Sequence, residues 1–467
     1  MNPAPLSAFR LGDVRGIYPV DLDEAFAHAF AAAFVRRFGI RGRVATGRDM
    51  RASSLSLQSA LNEGLLAAGV SVTDLGLCTT ELGYFASSMP TIDAAIIVTA
   101  SHNPARYNGF KCVLQNGQAV TFDTGLNDVM RLMQQGPDPS RHPPGRYAAQ
   151  NLQPDYITFL ARQLDMARLQ QVPRIALNGL NGTAATLAVK IAEQFSLPVT
   201  WFRQEPGPIP EQGADPTSPA LAAEMKAFMQ GGAFALGVAW DGDCDRCVFF
   251  DPAGDLIPTY YVIGVLAEQF LRTHPGRAIV FDTKLCWNTR DIVERSGGIA
   301  VASETGHAFM KHHMRQHNAI YGGELSSHHF FGDFFHCDSG IFAWLTVLDL
   351  MQRTGQDLGE LIAARRAAIC CTPEISLRLG DPLAAFTAVT TAFAPRSDRL
   401  ETFDGPGFEL DHCRFTLRQS KTENAVRLNF ESRGKPDQLL ALAREVLATL
   451  LPFRTDDADV ESRIYIQ

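Results

Sequence analysis

Three stretches of this chain repeat one plan, in which an apolar strand-like run ends in a polar loop and is followed by a helical pattern and a second apolar run. They occupy residues 43–76, 174–202 and 278–303. Each places Gly, Asn or Asp at the carboxyl end of its first strand, where open α/β sheets bind ligands. Runs such as Ala94–Val98 and Ala278–Phe281 are apolar throughout, as expected for sheets with helices on both faces. The repeat predicts three α/β units in series.

The length of 467 residues exceeds what one hydrophobic core can hold, because cores stop growing at about 250 to 300 residues. Segments rich in turn residues near 136–145, 251–255 and 369–374 mark candidate boundaries. After the last boundary the pattern changes to strands with helical stretches between them, which indicates a smaller α+β domain. We therefore predict four domains, which span residues 1–148, 149–253, 254–368 and 369–467.

Composition excludes several classes of protein. The formal net charge is −8 and there is no basic block, which argues against an electrostatic hold on nucleic acid. No run of 18 or more apolar residues occurs, which argues against a membrane span. The nine cysteines, an odd number, do not indicate a disulfide framework in so long a chain. We expect a cytoplasmic enzyme that binds neither nucleic acid nor membrane.

The segment DGDCDR follows an apolar strand and is the strongest local signal of chemistry. Asp241, Asp243 and Asp245 alternate along it, and Gly242 lets the backbone turn, so three carboxylates reach one side of the turn. Such close carboxylates repel each other unless a cation lies among them, and hard oxygen ligands favour Mg²⁺. The sixth and twelfth positions lack the Gly and Glu of an EF-hand loop. The alternative is an acidic surface turn without a metal.

A second signal is the apolar strand that ends in TASHNP. Ser101 lies where this strand enters a tight polar loop, which suits an exposed nucleophilic hydroxyl, although Ser-His-Asn forms an ordinary turn about as often. The G-x-S-x-G of the hydrolases is absent around it. Lys111 lies one short hairpin downstream, and this cation favours phosphate chemistry.

Two further segments suit a phosphorylated sugar. In YGGELSSHHFF, alternate residues offer the acceptors and donors that a hydroxyl-rich sugar needs, namely Glu324, Ser326 and His328. In RQSKTEN, a candidate phosphate cradle consists of Arg418, Ser420, Lys421 and Thr422. An ordinary hairpin loop is the alternative for this second segment.

The histidines of HAFMKHHMRQH lack carboxylate or thiolate partners at a zinc spacing, so we expect a helix with solvated histidines there. No Walker A sequence, kinase Gly-rich loop or G-x-G-x-x-G after a strand occurs in the chain. ATP-dependent transfer and dinucleotide redox chemistry therefore lack their usual signals. A serine, a magnesium triad and separate basic loops predict phosphoryl transfer through the serine itself.

Taken in chain order, TASHNP, DGDCDR, GGELSSHH and the RxSxT loop resemble the four motifs of the α-D-phosphohexomutases, and TGHAFMK resembles their bacterial phosphomannomutase branch. The resemblance spans nearly the whole chain. It implies an α/β fold of three successive similar mixed-sheet domains and a smaller C-terminal α+β domain around a central cleft. It also implies an enzyme that carries phosphate on Ser101, binds Mg²⁺ and is activated by a hexose 1,6-bisphosphate.

The same resemblance assigns roles to individual residues. The catalytic set is Ser101, His102, Lys111, Arg246 and His328. The metal ligands are the phosphorylated Ser101, Asp241, Asp243 and Asp245. The substrate-binding set is Arg15, Lys284, Thr305, Gly306, His307, Glu324, Ser326, Arg418, Ser420, Lys421 and Thr422. Within these sets Lys111 and His328 are candidates for proton transfer and charge stabilisation beside the serine.

Five positions depart from the family pattern. Gly12 stands in place of a tyrosine, Asp215 in place of an asparagine and Glu304 in place of a frequently basic residue. The phosphate loop carries Lys421 and Asn424 where the family commonly has Asn and Pro. Each of these changes leaves catalysis possible, and together they put the choice of sugar and the phosphate affinity in question.

The resemblance implies interconversion of mannose 6-phosphate and mannose 1-phosphate, which feeds GDP-mannose synthesis. The alternatives are a phosphoglucomutase or a dual-specificity phosphohexomutase and, from another class, a sugar-phosphate-binding paralogue without turnover. A phosphatase of the haloacid dehalogenase type would require Thr or Val where Asp245 stands. The partners are phosphosugars, and the sequence leaves both monomer and homodimer open.

Overall fold

The structure is a computed structural model that describes residues 6–136, 143–419, 425–455 and 463–467. It divides into two compact units. The first unit contains Met1–Ile257, Gly306–Tyr321 and Ser326–Leu358, and the second contains Pro258–Thr305, Gly322–Leu325 and Gly359–Gln467.

The first unit begins with an α/β segment built on one mixed sheet. Its elements are β1 (Val14–Ile17), α1 (Glu24–Phe38), β2 (Arg43–Arg48), α2 (Ser54–Ala67), β3 (Ser71–Leu77), α3 (Thr80–Ser87), β4 (Ala94–Val98), β5 (Tyr107–Leu114), β6 (Gln118–Ala119), α4 (Asn127–Gln134) and β7 (Tyr147–Ala149). The strand order is β1-β5-β4-β2-β3-β7, and β6 pairs with β5. Strands β4, β2, β3 and β7 are parallel, whereas β5 runs antiparallel to both β4 and β1.

Helix α1 shows why this segment folds as it does. Asp23 caps its start by accepting a hydrogen bond from the Phe26 amide at 2.8 Å. Gly39 ends it in the left-handed conformation at φ 62°. Phe26, Phe30 and Phe34 recur four residues apart, so all three reach the core between helix and sheet, where they are buried.

A second mixed sheet follows in the same unit. Its elements are α5 (Gln153–Gln163), α6 (Met166–Leu169), β8 (Ile175–Asn178), α7 (Ala185–Gln194), β9 (Val199–Phe202), α8 (Pro219–Gln230), β10 (Leu236–Trp240), β11 (Cys247–Phe250) and β12 (Leu256–Ile257). The order is β12-β11-β10-β8-β9, in which β10, β8 and β9 are parallel and β11 is antiparallel to β10. Both sheets therefore end a parallel set with an antiparallel hairpin, β4–β5 in the first and β10–β11 in the second.

The third α/β segment contributes elements to both units. The elements in chain order are α9 (Thr259–Thr273), β13 (Ala278–Asp282), α10 (Trp287–Arg295), β14 (Ile299–Ser303), α11 (His307–Gln316), β15 (Tyr321–Gly323), β16 (His329–Phe331), β17 (Cys337–Asp338) and α12 (Gly340–Thr354). In the second unit β13 and β14 form a parallel pair. In the first unit β16 and β17 form an antiparallel pair. The histidine-rich segment forms the predicted helix, α11.

The rest of the second unit is an antiparallel sheet with helices. Its elements are α13 (Leu358–Ala368), β18 (Ile369–Cys371), β19 (Ile375–Leu377), α14 (Pro382–Phe393), β20 (Arg399–Glu401), β21 (Gly407–Leu410), β22 (Cys413–Gln419), β23 (Val426–Arg433) and α15 (Pro436–Leu450). Strands β18, β23, β22, β21 and β20 lie in that order, and β19 also pairs with β23. These sheets confirm the predicted α/β class, the mixed sheets and the C-terminal α+β region.

Two further features of the structure concern the cysteines and the helices. All nine cysteines are buried free thiols. Among the described residues, no helix is both long enough and apolar enough to cross a membrane.

The aromatic core of α1 generates a stability prediction. Phe34 is fully buried, and its ring lies 5.8 Å from that of Phe30 and 4.8 Å from that of Phe38. We expect Phe34→Ala to lower the free energy of unfolding by about 3–5 kcal/mol, because it leaves a cavity. Urea denaturation followed by circular dichroism measures the change. Leu55→Ala on α2 is the control, since Leu55 is 59% exposed and its loss should cost under about 0.5 kcal/mol. Equal losses would contradict the assigned core.

Candidate active site

Two loops at the carboxyl ends of parallel strands carry the candidate site of the first unit. One loop joins β4 to β5, and the other joins β10 to β11. In the first hairpin Ile97 is paired with Lys111, so the lysine lies one strand away from the serine loop. In the second hairpin Trp240 is paired with Cys247, so DGDCDR is the whole connection between the strands. Equivalent positions in the two sheets thus present the serine and the aspartates.

Ser101 lies at the start of its loop and is 2% exposed. Its hydroxyl donates a hydrogen bond to Asp241 Oδ2 at 2.6 Å, and its amide donates to Thr99 Oγ1 at 2.9 Å. Its φ of 51° is in the left-handed region, which a serine rarely adopts. The loop therefore directs the hydroxyl of Ser101 at the aspartate cluster.

The three aspartates of the second loop are fully buried. One carboxylate oxygen from each of Asp241, Asp243 and Asp245 lies within 4.8 Å of the other two. The Oδ1 atoms of Asp243 and Asp245 accept no hydrogen bond from the part of the chain that the structure describes. Buried carboxylate oxygens are normally satisfied, and hard oxygen donors suit a divalent cation such as Mg²⁺. The three buried carboxylates, two of which have an oxygen without a hydrogen bond from the described residues, fit this ion.

Lys111 is the buried counter-ion of this cluster. Its Nζ lies 2.7 Å from Asp243 Oδ2 and also donates to Asp245 Oδ2. Burial alone would lower the pKa of Lys111, but Asp243 and then Asp245 outweigh it and raise the pKa. Thr80 Oγ1 donates to the same oxygen of Asp243 at 2.7 Å. Lys111 therefore stays protonated and serves as a fixed positive charge.

The pKa values of Asp241 and Asp245 are shifted in opposite directions. Burial, then the charges of Asp245 and Asp243, raise the pKa of Asp241 to about 8. Burial also acts to raise the pKa of Asp245, but the ammonium of Lys111 and the ring of His328 hold it well below its usual range. The carboxylate that accepts from Ser101 is therefore the one that lacks a buried counter-ion.

Arg246 and His328 lie at the edge of the cluster. The Arg246 amide donates to Asp241 Oδ1 at 3.2 Å, and Arg246 Nε lies 3.4 Å from His328 Nε2. His328 Nε2 is also 3.5 Å from Asp245 Oδ1, and its Nδ1 is 2.8 Å from Ser326 Oγ. The imidazole is thus held between a serine hydroxyl and the aspartates.

Two further predicted histidines have their pKa values lowered. Desolvation, then Arg246 and Arg15, lower the pKa of His102 well below its usual value. Desolvation and then Lys311 do the same for His307, whose ring centroid lies 6.2 Å from that of His328. Both rings are therefore neutral at pH 7, so they can donate or accept hydrogen bonds without adding charge.

Three of the departures from the family pattern now have a local description. A Cβ at Gly12 would lie 3.2 Å from His307 Nε2, so the absence of a side chain at Gly12 leaves room for the imidazole ring. Asp215 accepts hydrogen bonds from the amide and hydroxyl of Thr217, so its carboxylate stabilises its own loop. Glu304 lies half-buried directly after β14 in the second unit.

The remaining predicted residue of the first unit is Arg15. Its Nη1 donates to Asn103 Oδ1 at 2.7 Å, and its Nη2 pairs with Asp13. Arg15 thus binds the serine loop directly. Gly306 immediately precedes helix α11, which begins at His307.

Four predicted substrate residues lie in the second unit. Lys284 Nζ is 3.1 Å from Asp282 Oδ2, which also accepts from the Leu325 amide beside Glu324. The Thr305 amide donates to Asp404 Oδ2 at 2.9 Å. Arg418 Nε lies 4.0 Å from that same oxygen, and its Nη2 lies 3.6 Å from Glu374 Oε2. A cavity is lined by Lys284, Arg414, Arg418 and neighbouring residues.

The rest of the predicted phosphate loop, Ser420, Lys421, Thr422 and Asn424, lies outside the described residues.

Sequence reasoning missed several residues that hold the two loops. Arg51 binds the serine loop, Thr80 and Thr99 donate to Asp243, and Thr183 donates from both its amide and hydroxyl to the Gly242 carbonyl. Thr80 and Thr183 each stand just after a strand, near the carboxyl ends of parallel strands where the sequence already predicted ligands. No pattern in the sequence shows which of these polar residues reaches the aspartate loop.

Comparison with known proteins gives consistent matches over most of the chain. Family models described as phosphoglucomutase/phosphomannomutase, alpha/beta/alpha domains I, II and III, match residues 6–136, 154–254 and 258–368. A phosphomannomutase of Escherichia coli is 38% identical over 453 residues, which cover 95% of this chain and 99% of that protein. Phosphohexose mutases of Xanthomonas campestris pv. campestris are 36% identical over 443 residues, which cover 94% and 98%.

A solved structure of a phosphoglucomutase/phosphomannomutase family protein from Burkholderia thailandensis has a TM-score of 0.86 at 28% identity. The alignment covers 96% of this chain and 97% of that one.

The buried ion pairs of Lys111 generate a second stability prediction. We expect Lys111→Met to lower the free energy of unfolding by about 3–5 kcal/mol, because it leaves buried carboxylates without their counter-ion. Urea denaturation in a chelator-containing buffer measures the loss. Lys190→Met is the matched control, since this exposed lysine pairs only with the neutral Gln153 and should cost under about 0.5 kcal/mol. A loss below about 1 kcal/mol for Lys111→Met would mean that another cation balances the aspartates.

Proposed function

This chain belongs to the phosphoglucomutase/phosphomannomutase family, and we propose that it interconverts mannose 6-phosphate and mannose 1-phosphate through a phosphorylated Ser101. Membership makes the chain an enzyme, an isomerase that transfers phosphate intramolecularly. The observation that carries the serine proposal is the 2.6 Å hydrogen bond from Ser101 Oγ to Asp241 inside a buried carboxylate cluster. The mannose preference is supported by relatives named phosphomannomutase.

In the first half-reaction the bond between phosphorus and Ser101 Oγ breaks as a bond to a free hydroxyl oxygen of the sugar phosphate forms. Ser101 Oγ takes the electron pair of the broken bond and keeps it until the second half-reaction. The proton of that hydroxyl passes to His328, whose imidazole is held by Ser326 and Asp245. Lys111 cannot act as this base, because its raised pKa keeps it protonated. It stabilises the charge on the transferring group instead. The product of this step is a sugar 1,6-bisphosphate.

In the second half-reaction the bisphosphate is bound in the opposite orientation. The bond between the other phosphate and its sugar oxygen breaks, Ser101 Oγ accepts the phosphoryl group, and His328 returns the proton to the sugar oxygen. The phosphoserine is thereby regenerated and the phosphate has changed position on the sugar. An added hexose 1,6-bisphosphate therefore acts as an activator, because it phosphorylates Ser101.

We propose that Mg²⁺ is held by Asp241, Asp243, Asp245 and the phosphate of Ser101. The fully buried oxygens of the three aspartates support this proposal, as do the two Oδ1 atoms without a hydrogen bond from described residues. When bound, the ion supplies positive charge beside the transferring phosphoryl group. Arg246 supplies further positive charge from the edge of the cluster, and the neutral ring of His102 lies beside the Ser101 hydroxyl at 3.3 Å.

For the substrate we propose a division among four domains. Residues 1–148 carry the phosphoserine loop, 149–253 the metal loop, 254–368 the sugar loop and 369–467 the loop for the phosphate that does not react. The residues that would bind the sugar are Arg15, Lys284, Thr305, Gly306, His307, Glu324 and Ser326. Those that would hold the unreactive phosphate are Arg418, Ser420, Lys421 and Thr422. Arg418 supports this proposal, because the nearest carboxylates among the described residues lie 3.6 and 4.0 Å away and leave it able to bind an anion.

A second candidate is a mutase that also accepts glucose phosphates. The Xanthomonas relatives named phosphohexose mutases favour it. Mannose and glucose differ at one carbon, so a few contacts decide between them.

The first functional prediction concerns turnover. We expect the enzyme, with Mg²⁺ and a trace of hexose 1,6-bisphosphate, to isomerise mannose 6-phosphate, and glucose 6-phosphate if the second candidate is correct. Ser101→Ala should lower the rate at least about 10³-fold, because it removes the group that carries the phosphate. Phosphorus NMR of both sugars measures the reaction, and the ratio of the two rates decides between the candidates.

Ser88→Ala is the control for turnover, since Ser88 is half-buried and donates only to the Phe85 carbonyl. Retention of more than about a tenth of the rate in Ser101→Ala would overturn the phosphoserine proposal.

The second functional prediction concerns the metal. Mg²⁺ at about 100 times its Kd should raise the free energy of unfolding by about 2.7 kcal/mol, because it binds only the folded state. Asp243→Asn should abolish this gain, whereas Asp123→Asn, an exposed position, should keep it. Denaturation with Mg²⁺ and with chelator measures both. An undiminished gain in Asp243→Asn would place the ion elsewhere.

A further inference from the structure

The serine loop needs an external support for its shape. Ser101 has a φ of 51°, and a residue with a side chain is strained in this left-handed conformation, so the surrounding structure must hold it there. Four carbonyl groups of the segment from Ser101 to Tyr107 also point at one buried side chain. Carbonyl groups buried in this way must be paired. Whatever pairs them determines where the Ser101 hydroxyl points.

Arg51 pairs them. Its Nη2 donates to the carbonyls of Ser101 and Asn103 at 2.8 and 2.7 Å, and its Nη1 donates to those of Pro104 and Tyr107 at 2.8 and 3.0 Å. Its Nε donates to Asp49 Oδ2 at 3.0 Å. All five N–H donors of the guanidinium are therefore used, four of them on one loop. Its side chain is 1% exposed.

Asp49 fixes the guanidinium in turn. Its Oδ1 accepts from the Arg51 amide at 3.0 Å and from Ser54 Oγ at 2.5 Å. Asn108, at the far end of the serine loop, donates to Ser54 Oγ at 2.9 Å. The loop after β2 and the loop after β4 are thus joined into one hydrogen-bonded body. Among the described residues, the hydrogen bonds of Arg51 go to Asp49 and to the carbonyls of the serine loop and none goes to the aspartate cluster, so Arg51 acts on the backbone of the loop.

We infer that Arg51 is a positioning residue for phosphoryl transfer: it holds the backbone of Ser101–Tyr107 so that the Ser101 hydroxyl faces Asp241. This inference rests on the proposed function of Ser101. A lysine cannot replace it, because one ammonium has three donors on a single nitrogen and cannot span four carbonyls. A displacement of the reacting atom by about 1 Å costs on the order of 10²-fold in rate.

The test compares Arg51→Lys with the wild type. We expect kcat to fall about 10- to 100-fold while KM for the sugar phosphate changes less than about twofold, because the substrate contacts are untouched. Phe34→Ala is the matched control for lost stability, since it loosens the same domain without touching the loop. An Arg51→Lys enzyme whose kcat equals that of Phe34→Ala would overturn the inference.

Chemical rescue gives a second readout. The kcat of Arg51→Ala should recover when guanidinium is added at a concentration well below its denaturing range. Methylammonium should not restore it, because only the planar guanidinium has N–H donors that match the positions of the carbonyls. Equal rescue by both cations, or by neither, would contradict a positioning role for the fork.

Hydrogen exchange separates this inference from the proposed function. The amides of Ser101, Asn103 and Tyr107 are hydrogen-bonded within the loop, and they should exchange at least about tenfold faster in Arg51→Lys than in Phe34→Ala. If the wild type turns over no hexose phosphate, the proposed function fails, yet this measurement still decides whether Arg51 holds the loop. Unchanged exchange would overturn the inference even in an active enzyme.

Discussion

The site depends on burying three carboxylates beside one lysine. Asp241, Asp243 and Asp245 lie in a buried hairpin loop, where like charges repel strongly. Lys111 reaches two of them from the neighbouring sheet of the same unit, and this is the only ammonium among the described residues paired with the cluster. The cluster therefore holds more negative than positive charge. The raised pKa of Asp241 and the hydrogen bond that Asp241 accepts from Ser101 are consistent with this excess.

The two sheets bring these groups together by repeating one arrangement. Each ends its parallel strands with an antiparallel hairpin, and the connection within that hairpin carries the candidate site residues, Ser101 in the first sheet and the three aspartates in the second. The close approach of the loops explains one glycine, since a Cβ at Gly242 would lie 2.6 Å from the Ser101 carbonyl oxygen. The Ala214 amide donates to the His102 carbonyl at 3.1 Å and joins the loops from a third direction.

Much of the fold and part of the site could be predicted from the sequence. The strand-to-loop transitions at Ser101 and Asp241 are local patterns, because an apolar run followed by polar residues at a turn depends only on neighbouring residues. The supporting role of Arg51 could not be predicted, since its four partners lie about fifty residues away and are backbone atoms that carry no residue identity. From the sequence alone, Gly12 is only a missing tyrosine of the family pattern. In the structure, the imidazole of His307 lies where a side chain at position 12 would begin.

The positive groups around Ser101 act on different partners, and this division indicates where a divalent cation is needed. Arg51 donates hydrogen bonds to backbone carbonyls and to Asp49, and Lys111 forms ion pairs with Asp243 and Asp245. The guanidinium Nε of Arg246 lies 3.8 Å from Asp241 Oδ2, at the edge of the cluster. The negative charge of Asp241, the carboxylate that faces the serine, is therefore the least neutralised by nearby positive groups. The proposed phosphate on Ser101 would add further negative charge at the same point, so the proposed phosphoserine form would require a divalent cation more strongly than the free serine does.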